Sequence, residues 1–110
     1  MKVVYLFQSS MSAMLLENMI IPQIEEQKHG AEVVGMFFLF DNTYFFVPEN
    51  PIGEKLVRVA DKYGFFLMCC DKCCEQRGIM NNLYQGVEVG CFPDLYKLAE
   101  TVGAQQVITL

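Results

Sequence analysis

The sequence contains few charged side chains and, among these, few basic ones. Charged residues make up 19% of the 110, and 8 Lys and Arg face 13 Asp and Glu, giving a formal net charge of −5. A protein that binds nucleic acid or an anionic membrane needs clustered basic side chains to neutralise phosphates. No basic stripe occurs in this sequence, so we expect neither nucleic acid nor a membrane as a partner.

Long hydrophobic runs are also missing. The longest apolar stretches, Val33–Phe40 and Phe65–Cys70, are far shorter than the ~18 residues that a membrane-spanning helix needs. The N-terminal apolar run, Val3–Phe7, is too brief for the hydrophobic region of a signal peptide. The sequence therefore predicts a cytoplasmic location.

Nucleotide-binding motifs, linkers and low-complexity segments are absent as well. Without a glycine-rich dinucleotide or phosphate-binding loop, dinucleotide and ATP chemistry are disfavoured, and we expect no cofactor. The hydrophobic share of 53% excludes intrinsic disorder. A chain of this length buries roughly two-thirds of its unfolded surface without needing a metal or disulfide. We therefore predict a single domain over residues 1–110, with part of its apolar excess buried between chains.

Short apolar runs alternate along the chain with amphipathic segments. The predicted strands are Lys2–Phe7, Glu32–Phe40, Phe65–Cys69, Val87–Val89 and Gln106–Thr109. The predicted helices lie in residues 9–28, Ile52–Tyr63, the second part of Cys70–Asn82, and Asp94–Thr101, with Asp41–Pro51 as a loop. Pro22 is expected to bend or interrupt the first helix, and His29 and Gly30 to end it. This alternation predicts an α/β fold of three layers with a parallel five-stranded sheet, as in flavodoxin-like and Rossmann-like domains.

Five cysteines are present, and four of them lie within six residues: Cys69, Cys70, Cys73 and Cys74. Such crowding cannot crosslink distant parts of a secreted fold, and in a reducing compartment it indicates redox, sulfur or metal chemistry. Cys91 follows another predicted strand. Because parallel strands end at one edge of the sheet, where ligands collect, we expect all five thiols near that edge.

The reactivity of these thiols depends on ionisation, because the thiolate is the reacting species. A cysteine in the turn that enters a helix lies near unpaired N–H groups, which favour the thiolate. Lys72 and Arg77 act in the same direction, whereas Asp71 and Glu75 act against it. The sequence leaves the net direction open.

The segment Phe66–Ile79 resembles the signature loop of the DsrE/DsrF/TusD family of small sulfur-relay proteins, in which an Arg-Gly-Ile-like end follows the cysteine by nine residues. Cys70 has this spacing to Ile79. The resemblance implies a three-layer α/β domain that carries sulfur as a persulfide on Cys70 between donor and acceptor proteins. It also implies a homo-oligomer, a trimer or hexamer.

The sequence departs from that family by its additional cysteines, since members typically have one in this loop. A second thiol attacks a neighbouring persulfide, releasing sulfide and leaving a disulfide. Cys73, Cys74 or Cys91 is therefore a candidate resolving thiol or second sulfur station. Cys69 is expected to be a core residue on the opposite face of its strand.

Two alternatives to the sulfur carrier remain open. Cys70-Asp-Lys-Cys73 is a C-x-x-C sequence, which indicates dithiol redox chemistry. Cys70 with Cys73 or Cys74 and with Cys91 forms a candidate three-thiolate site for a soft metal ion. His29 is expected to be a surface helix cap at the other end of a βα unit, away from these thiols.

Aromatic residues follow the second predicted strand. Those within the strand are expected in the core, whereas Tyr44-Phe45-Phe46-Val47 is too apolar for a free loop. This segment predicts a subunit interface or a wall of the site.

Overall fold

A computed structural model describes all 110 residues. The strands are β1 (Lys2–Phe7), β2 (Glu32–Phe38), β3 (Phe66–Cys70), β4 (Glu88–Gly90) and β5 (Gln106–Thr109). The helices are α1 (Ser12–Leu15), α2 (Ile21–Glu25), α3 (Pro51–Tyr63), α4 (Asp71–Gln76) and α5 (Phe92–Thr101). A π-helical segment (Leu16–Ile20) joins α1 to α2, and a 3-10 segment (Phe40–Phe46) precedes α3. No helix is long and apolar enough to cross a membrane.

All five strands are parallel and form one sheet in the order β4-β3-β2-β1-β5. From β1 to β4 each connection steps to the next strand in one direction. The connection from β4 to β5 returns past β3, β2 and β1. Right-handed crossovers in opposite directions place their helices on opposite faces of the sheet. The predicted α/β fold of three layers with a parallel five-stranded sheet is confirmed.

The two faces bury separate hydrophobic cores. On the face that we call the α3 face, Val3 and Phe7 of β1 pack with side chains of α1, α2 and α3. On the opposite α5 face, Val4 and Leu6 pack in a cluster with side chains of α5. Burying one such side chain contributes about 1.5–3 kcal/mol, so continuous apolar strands are stabilised from both sides.

The first helical region confirms the effect expected of Pro22. This residue has no N–H, and its ring would collide with the carbonyl of Asn18 in a regular α-helix. The π-helical segment widens the turn directly before it. The predicted end near Lys28 is wrong, because α2 stops at Glu25 and Gln27 adopts a left-handed φ of 57°.

The predicted loop Asp41–Pro51 is wrong over its first half, which forms the 3-10 segment. Its aromatic side chains explain this ordering: Phe46 is fully buried, and its ring lies 4.7 Å from that of Phe38, centroid to centroid. Helix α3 then begins at Pro51, where the side-chain oxygen of Asn50 accepts the N–H of Ile52 at 3.0 Å.

Strand ends differ from the predicted ends by one or two residues. Strand β2 stops at Phe38, and the chain turns at Phe40, which adopts a left-handed φ of 57°. Strand β3 extends to Cys70, and α4 begins at the next residue. Strand β4 lies one residue later than predicted, and α5 begins at Phe92 with Pro93 in its first turn.

Candidate functional site

The carboxyl ends of β3 and β4 form the point at which the chain changes faces. In the sheet register, Cys70 of β3 pairs with Gly90 of β4. After β3 the chain packs on the α3 face, where Cys74 and Ile79 are buried. After β4 it enters α5 on the other face. Open α/β sheets bind ligands at such a topological switch point, so the strand order places Cys70 where chemistry is expected.

The four clustered thiols divide into two pairs, one on each face of the sheet. Successive strand residues point to opposite faces. Cys70 is therefore buried on the α5 face with Cys73, and Cys69 on the α3 face with Cys74. The expectation that Cys69 is a core residue is confirmed, since its exposure is 0%.

The Cys70 thiol lies just below the surface, with 6% of the residue exposed. Burial raises its pKa, and the neighbouring Cys73 thiol raises it further. The backbone N–H groups of Cys73 and Lys72 act in the opposite direction, as expected where a strand enters a helix, but they do not outweigh burial. The resting form of Cys70 is the thiol.

The Cys73 sulfur is held by the start of the connection that follows β2. The backbone N–H of Phe40 donates a hydrogen bond to this sulfur over 3.1 Å. The Arg77 guanidinium donates to the carbonyl oxygen of Cys73 at 3.1 Å and to the carboxylate of Asp41 at 2.9 Å. These bonds connect α4 to the 3-10 segment directly above the carboxyl ends of β2 and β3.

Cys69 and Cys74 form the second, fully buried pair. Interaction with the Cys69 thiol lowers the pKa of Cys74, and the positive charge of Arg77 lowers it further, while burial opposes both. The pKa of Cys69 is raised by Cys74 and by burial. The Thr43 hydroxyl donates to the carbonyl of Phe40 at 2.7 Å.

Cys91 is the one cysteine of the five that is not buried. It precedes α5 as its N-cap, and its backbone N–H donates to the Asp94 carboxylate at 2.8 Å. No group of three or more His, Cys, Asp or Glu side chains converges to hold a metal ion. The candidate three-thiolate site is therefore not assembled, because Cys91 lies outside the buried cluster that holds Cys70 and Cys73, and Cys74 lies in the other cluster.

Sequence reasoning missed the partners of Arg77. Its ion pair with Asp41 joins residues 36 positions apart, and its guanidinium also lies 6.0 Å from the ring centre of Tyr44. The position of Arg77 shortly after the cysteine cluster indicated that it supports the thiols electrostatically. Nothing in the sequence spacing indicated that Arg77 also ties α4 to the 3-10 segment.

His29 lies at the opposite edge of the sheet and does not take part in this site. It is not the predicted helix cap, because α2 ends four residues earlier. Its Nε2 lies 2.6 Å from the Tyr5 hydroxyl and its Nδ1 2.9 Å from the side-chain oxygen of Gln23. It lines a cavity of about 390 Å³. None of the four surface cavities is lined by a cysteine.

Comparison with known proteins gives matches by structure alone. No family model matches the sequence, and no curated protein matches it significantly. The ychN protein from E. coli has 21% identity and a TM-score of 0.71 over 99% of this chain and 97% of that chain. A protein of unknown function from Methanobacterium thermoautotrophicum has 13% identity and a TM-score of 0.69, over 99% and 98% of the two chains.

A third solved structure, a conserved protein of unknown function from Bacteroides thetaiotaomicron, has 13% identity and a TM-score of 0.66. The likeness covers 99% of this chain and 94% of that chain. At these identities the likeness concerns the fold. Together with the all-parallel sheet, it shows that this chain has a DsrE/YchN-like α/β fold.

Proposed function

We propose that the protein is a sulfur carrier that holds sulfur as a persulfide on Cys70 and passes it between protein partners. The observation that carries the proposal is the position of Cys70, a thiol at the carboxyl end of β3 and at the switch point of a DsrE/YchN-like sheet. The resemblance of Phe66–Ile79 to a sulfur-relay loop supports the same residue.

The chemistry consists of two thiol–persulfide exchanges. The Cys70 thiolate attacks the outer sulfur of a donor persulfide, forming the Cys70 persulfide and releasing the donor as a thiolate. An acceptor thiolate then attacks the outer sulfur on Cys70, and Cys70 leaves as a thiolate. Each step forms one sulfur–sulfur bond and breaks one, so no external oxidant or reductant is needed.

The closed surroundings of Cys70 make this exchange selective. A thiol that is 6% exposed and whose pKa is raised by burial reacts slowly with small thiol reagents. Cys73 packs with Cys70 and is tied to the 3-10 segment through the Phe40 N–H, so a partner that displaces this segment would loosen the packing around Cys70 and relieve the burial that opposes ionisation. The Arg77–Asp41 pair is the contact to be opened, and Asp41 is 86% exposed and accessible to a partner.

The test is loading with a persulfide donor followed by intact mass spectrometry and peptide mapping. Directly after brief loading, the parent is expected to carry one added sulfur atom that a thiol reductant removes, located on Cys70. Cys70→Ser is expected to lose this gain, whereas Cys91→Ser, with a more exposed thiol changed at the same sheet edge, should retain it. Equal loading of Cys70→Ser and the parent would refute the assignment.

A further inference from the structure

We propose that Cys73 resolves the Cys70 persulfide, so that the site releases sulfide whenever no acceptor thiol reaches it. This adds a persulfide-reducing activity to the carrier, and it rests on the proposed function because Cys70 must first be loaded. The observation behind it is that, of the four other thiols, Cys73 alone shares the buried cluster of Cys70 on the α5 face.

The backbone geometry brings these two thiols together. Cys70 is the N-cap of α4 and Cys73 is the third residue of that helix. Side chains three positions apart on a helix have Cβ atoms roughly 5–6 Å apart. A disulfide requires Cβ atoms about 3.5–4.5 Å apart, so the two Cβ atoms must approach each other by about 1–2 Å. The pair therefore needs a small adjustment rather than a refolding of the turn.

The other candidate thiols are directed elsewhere. Cys74 is adjacent to Cys73 in sequence, but it packs on the α3 face with Cys69. Cys91 lies on the next strand connection, where it caps α5. The structure thus separates three residues that the sequence left equivalent, and it places Cys73 beside Cys70.

The Cys73 sulfur is also held in position for attack. Its hydrogen bond from the Phe40 N–H and the Arg77 bond to its carbonyl fix both ends of the residue. A positioned intramolecular thiol reacts at a high effective concentration. Attack of Cys73 on the Cys70 persulfide should therefore be faster than attack by dilute external thiols.

The proposed step balances without an added oxidant. The Cys73 thiolate attacks the inner sulfur, Sγ of Cys70, and the outer sulfur leaves as hydrosulfide. The two electrons that reduce the outer sulfur come from the two thiols, which become a Cys70–Cys73 disulfide. Renewal of the site then requires a dithiol reductant, which exchanges with this disulfide and becomes oxidised.

The experiment follows a single turnover in the absence of reductant. Parent, Cys73→Ser, Cys70→Ser and Cys91→Ser are treated briefly with glutathione persulfide, desalted and kept under nitrogen. Released sulfide and intact mass are followed with time. Serine at position 73 keeps an acceptor for the Phe40 N–H, and Cys73→Ala serves as a second variant should Cys73→Ser fail to fold.

The parent is expected to release one sulfide per loaded chain and to lose two hydrogen atoms, with the disulfide mapped to Cys70 and Cys73. Cys73→Ser should keep its added sulfur, with release roughly tenfold slower or more. Cys91→Ser should behave as the parent. Equal release by Cys73→Ser and the parent, or a disulfide to another cysteine, would overturn the role of Cys73.

Failure of the carrier proposal itself gives a different result. If neither the parent nor Cys73→Ser gains sulfur or releases sulfide, Cys70 is not loaded and both proposals fall. If the parent and Cys73→Ser hold the added sulfur on Cys70 for equally long, Cys70 carries sulfur and only the role of Cys73 as resolving thiol is refuted.

Discussion

The backbone N–H of Phe40 donates a hydrogen bond to the sulfur of Cys73 over 3.1 Å, so the exit of β2 and the first turn of α4 are joined through a thiol. Phe40 holds a left-handed backbone conformation there, with a φ of 57°. Such a conformation is uncommon for a large residue and persists because surrounding contacts determine it. We therefore expect a change in the bonding of the Cys73 sulfur to alter the position of the 3-10 segment.

Loss of the Arg77 clamp should open the site. In Arg77→Ala the bonds to the Cys73 carbonyl and to Asp41 disappear, and the 3-10 segment loses its tie to α4. Cys70 should then react faster with a thiol-specific reagent, with a loss of folding free energy of about 1–2 kcal/mol. Labelling rates measured by mass spectrometry provide the test.

The matched control for this change is Lys72→Ala. Both side chains of the Lys72–Glu75 ion pair are exposed, so the pair contributes little to stability. Its labelling rate should equal that of the parent. If Arg77→Ala also labels at the parental rate, the Arg77 contacts do not limit access to Cys70.

A second prediction concerns the close approach of α3 to the 3-10 segment. A Cβ at Gly53 would overlap the carbonyl oxygen of Phe45. Alanine in a helix normally stabilises it by about 1 kcal/mol over glycine. Here the overlap should dominate, and Gly53→Ala should destabilise the fold by about 1–3 kcal/mol in urea unfolding. Arg58→Ala, on the exposed side of α3, should leave the free energy of unfolding almost unchanged. If Gly53→Ala stabilises the protein, the close contact between α3 and the 3-10 segment is wrong.

A third prediction is the pH dependence caused by His29. Burial lowers its pKa below 6.5, so the folded state favours the neutral ring bonded to Tyr5 and Gln23. The unfolded state then binds more protons, and the stability present above the unfolded pKa is lost as the pH falls through the folded pKa. Relative to His29→Gln, the parent should lose stability as the pH falls from about 6.5, the unfolded pKa, toward the lower folded pKa. A pH-independent difference would show that His29 ionisation is not linked to folding.

A fourth prediction tests which thiol of the second pair ionises first. With Cys70, Cys73 and Cys91 changed to serine, the remaining thiolate absorbance reports on Cys69 and Cys74. Cys69→Ala removes the thiol whose interaction lowers the pKa of Cys74, so that pKa should rise. Cys69→Ser retains a polar hydrogen at this position and should shift the pKa less. An unchanged titration in Cys69→Ala would show that Cys69 does not set the ionisation of Cys74.

A fifth prediction concerns assembly, and we propose that the chain forms a homotrimer or a multiple of one. Large apolar side chains are exposed at the carboxyl edge and on α5, namely Met11, Phe40, Tyr44, Phe92 and Tyr96. These side chains favour association, and the resemblance to the sulfur-relay family implies three or six copies, so light scattering should give a mass of three or six chains. A mass near 12.6 kDa would contradict this assembly.

The sequence predicted the strands well because buried parallel strands are continuous apolar runs. It did not predict the order of the strands in the sheet. The burial of a strand is encoded in its own residues, whereas its neighbours in the sheet depend on the direction of each crossover connection. The switch point between Cys70 and Gly90 was for this reason not visible. Alternation along β3 correctly assigned Cys69 to the core. The separation of Cys73 from Cys74 was missed, because it depends on where α4 begins, and that boundary was predicted only loosely.

The position of β1 between β2 and β5 has a consequence for how the chain is made. Val3 pairs with Gln106, so the central region of the sheet joins a segment that is synthesised early to one that is synthesised much later. During translation β1 can pair with β2 early, but its other side stays open until residue 109 has left the ribosome. The nascent chain thus carries an unpaired strand edge that invites association with other chains until β5 closes it.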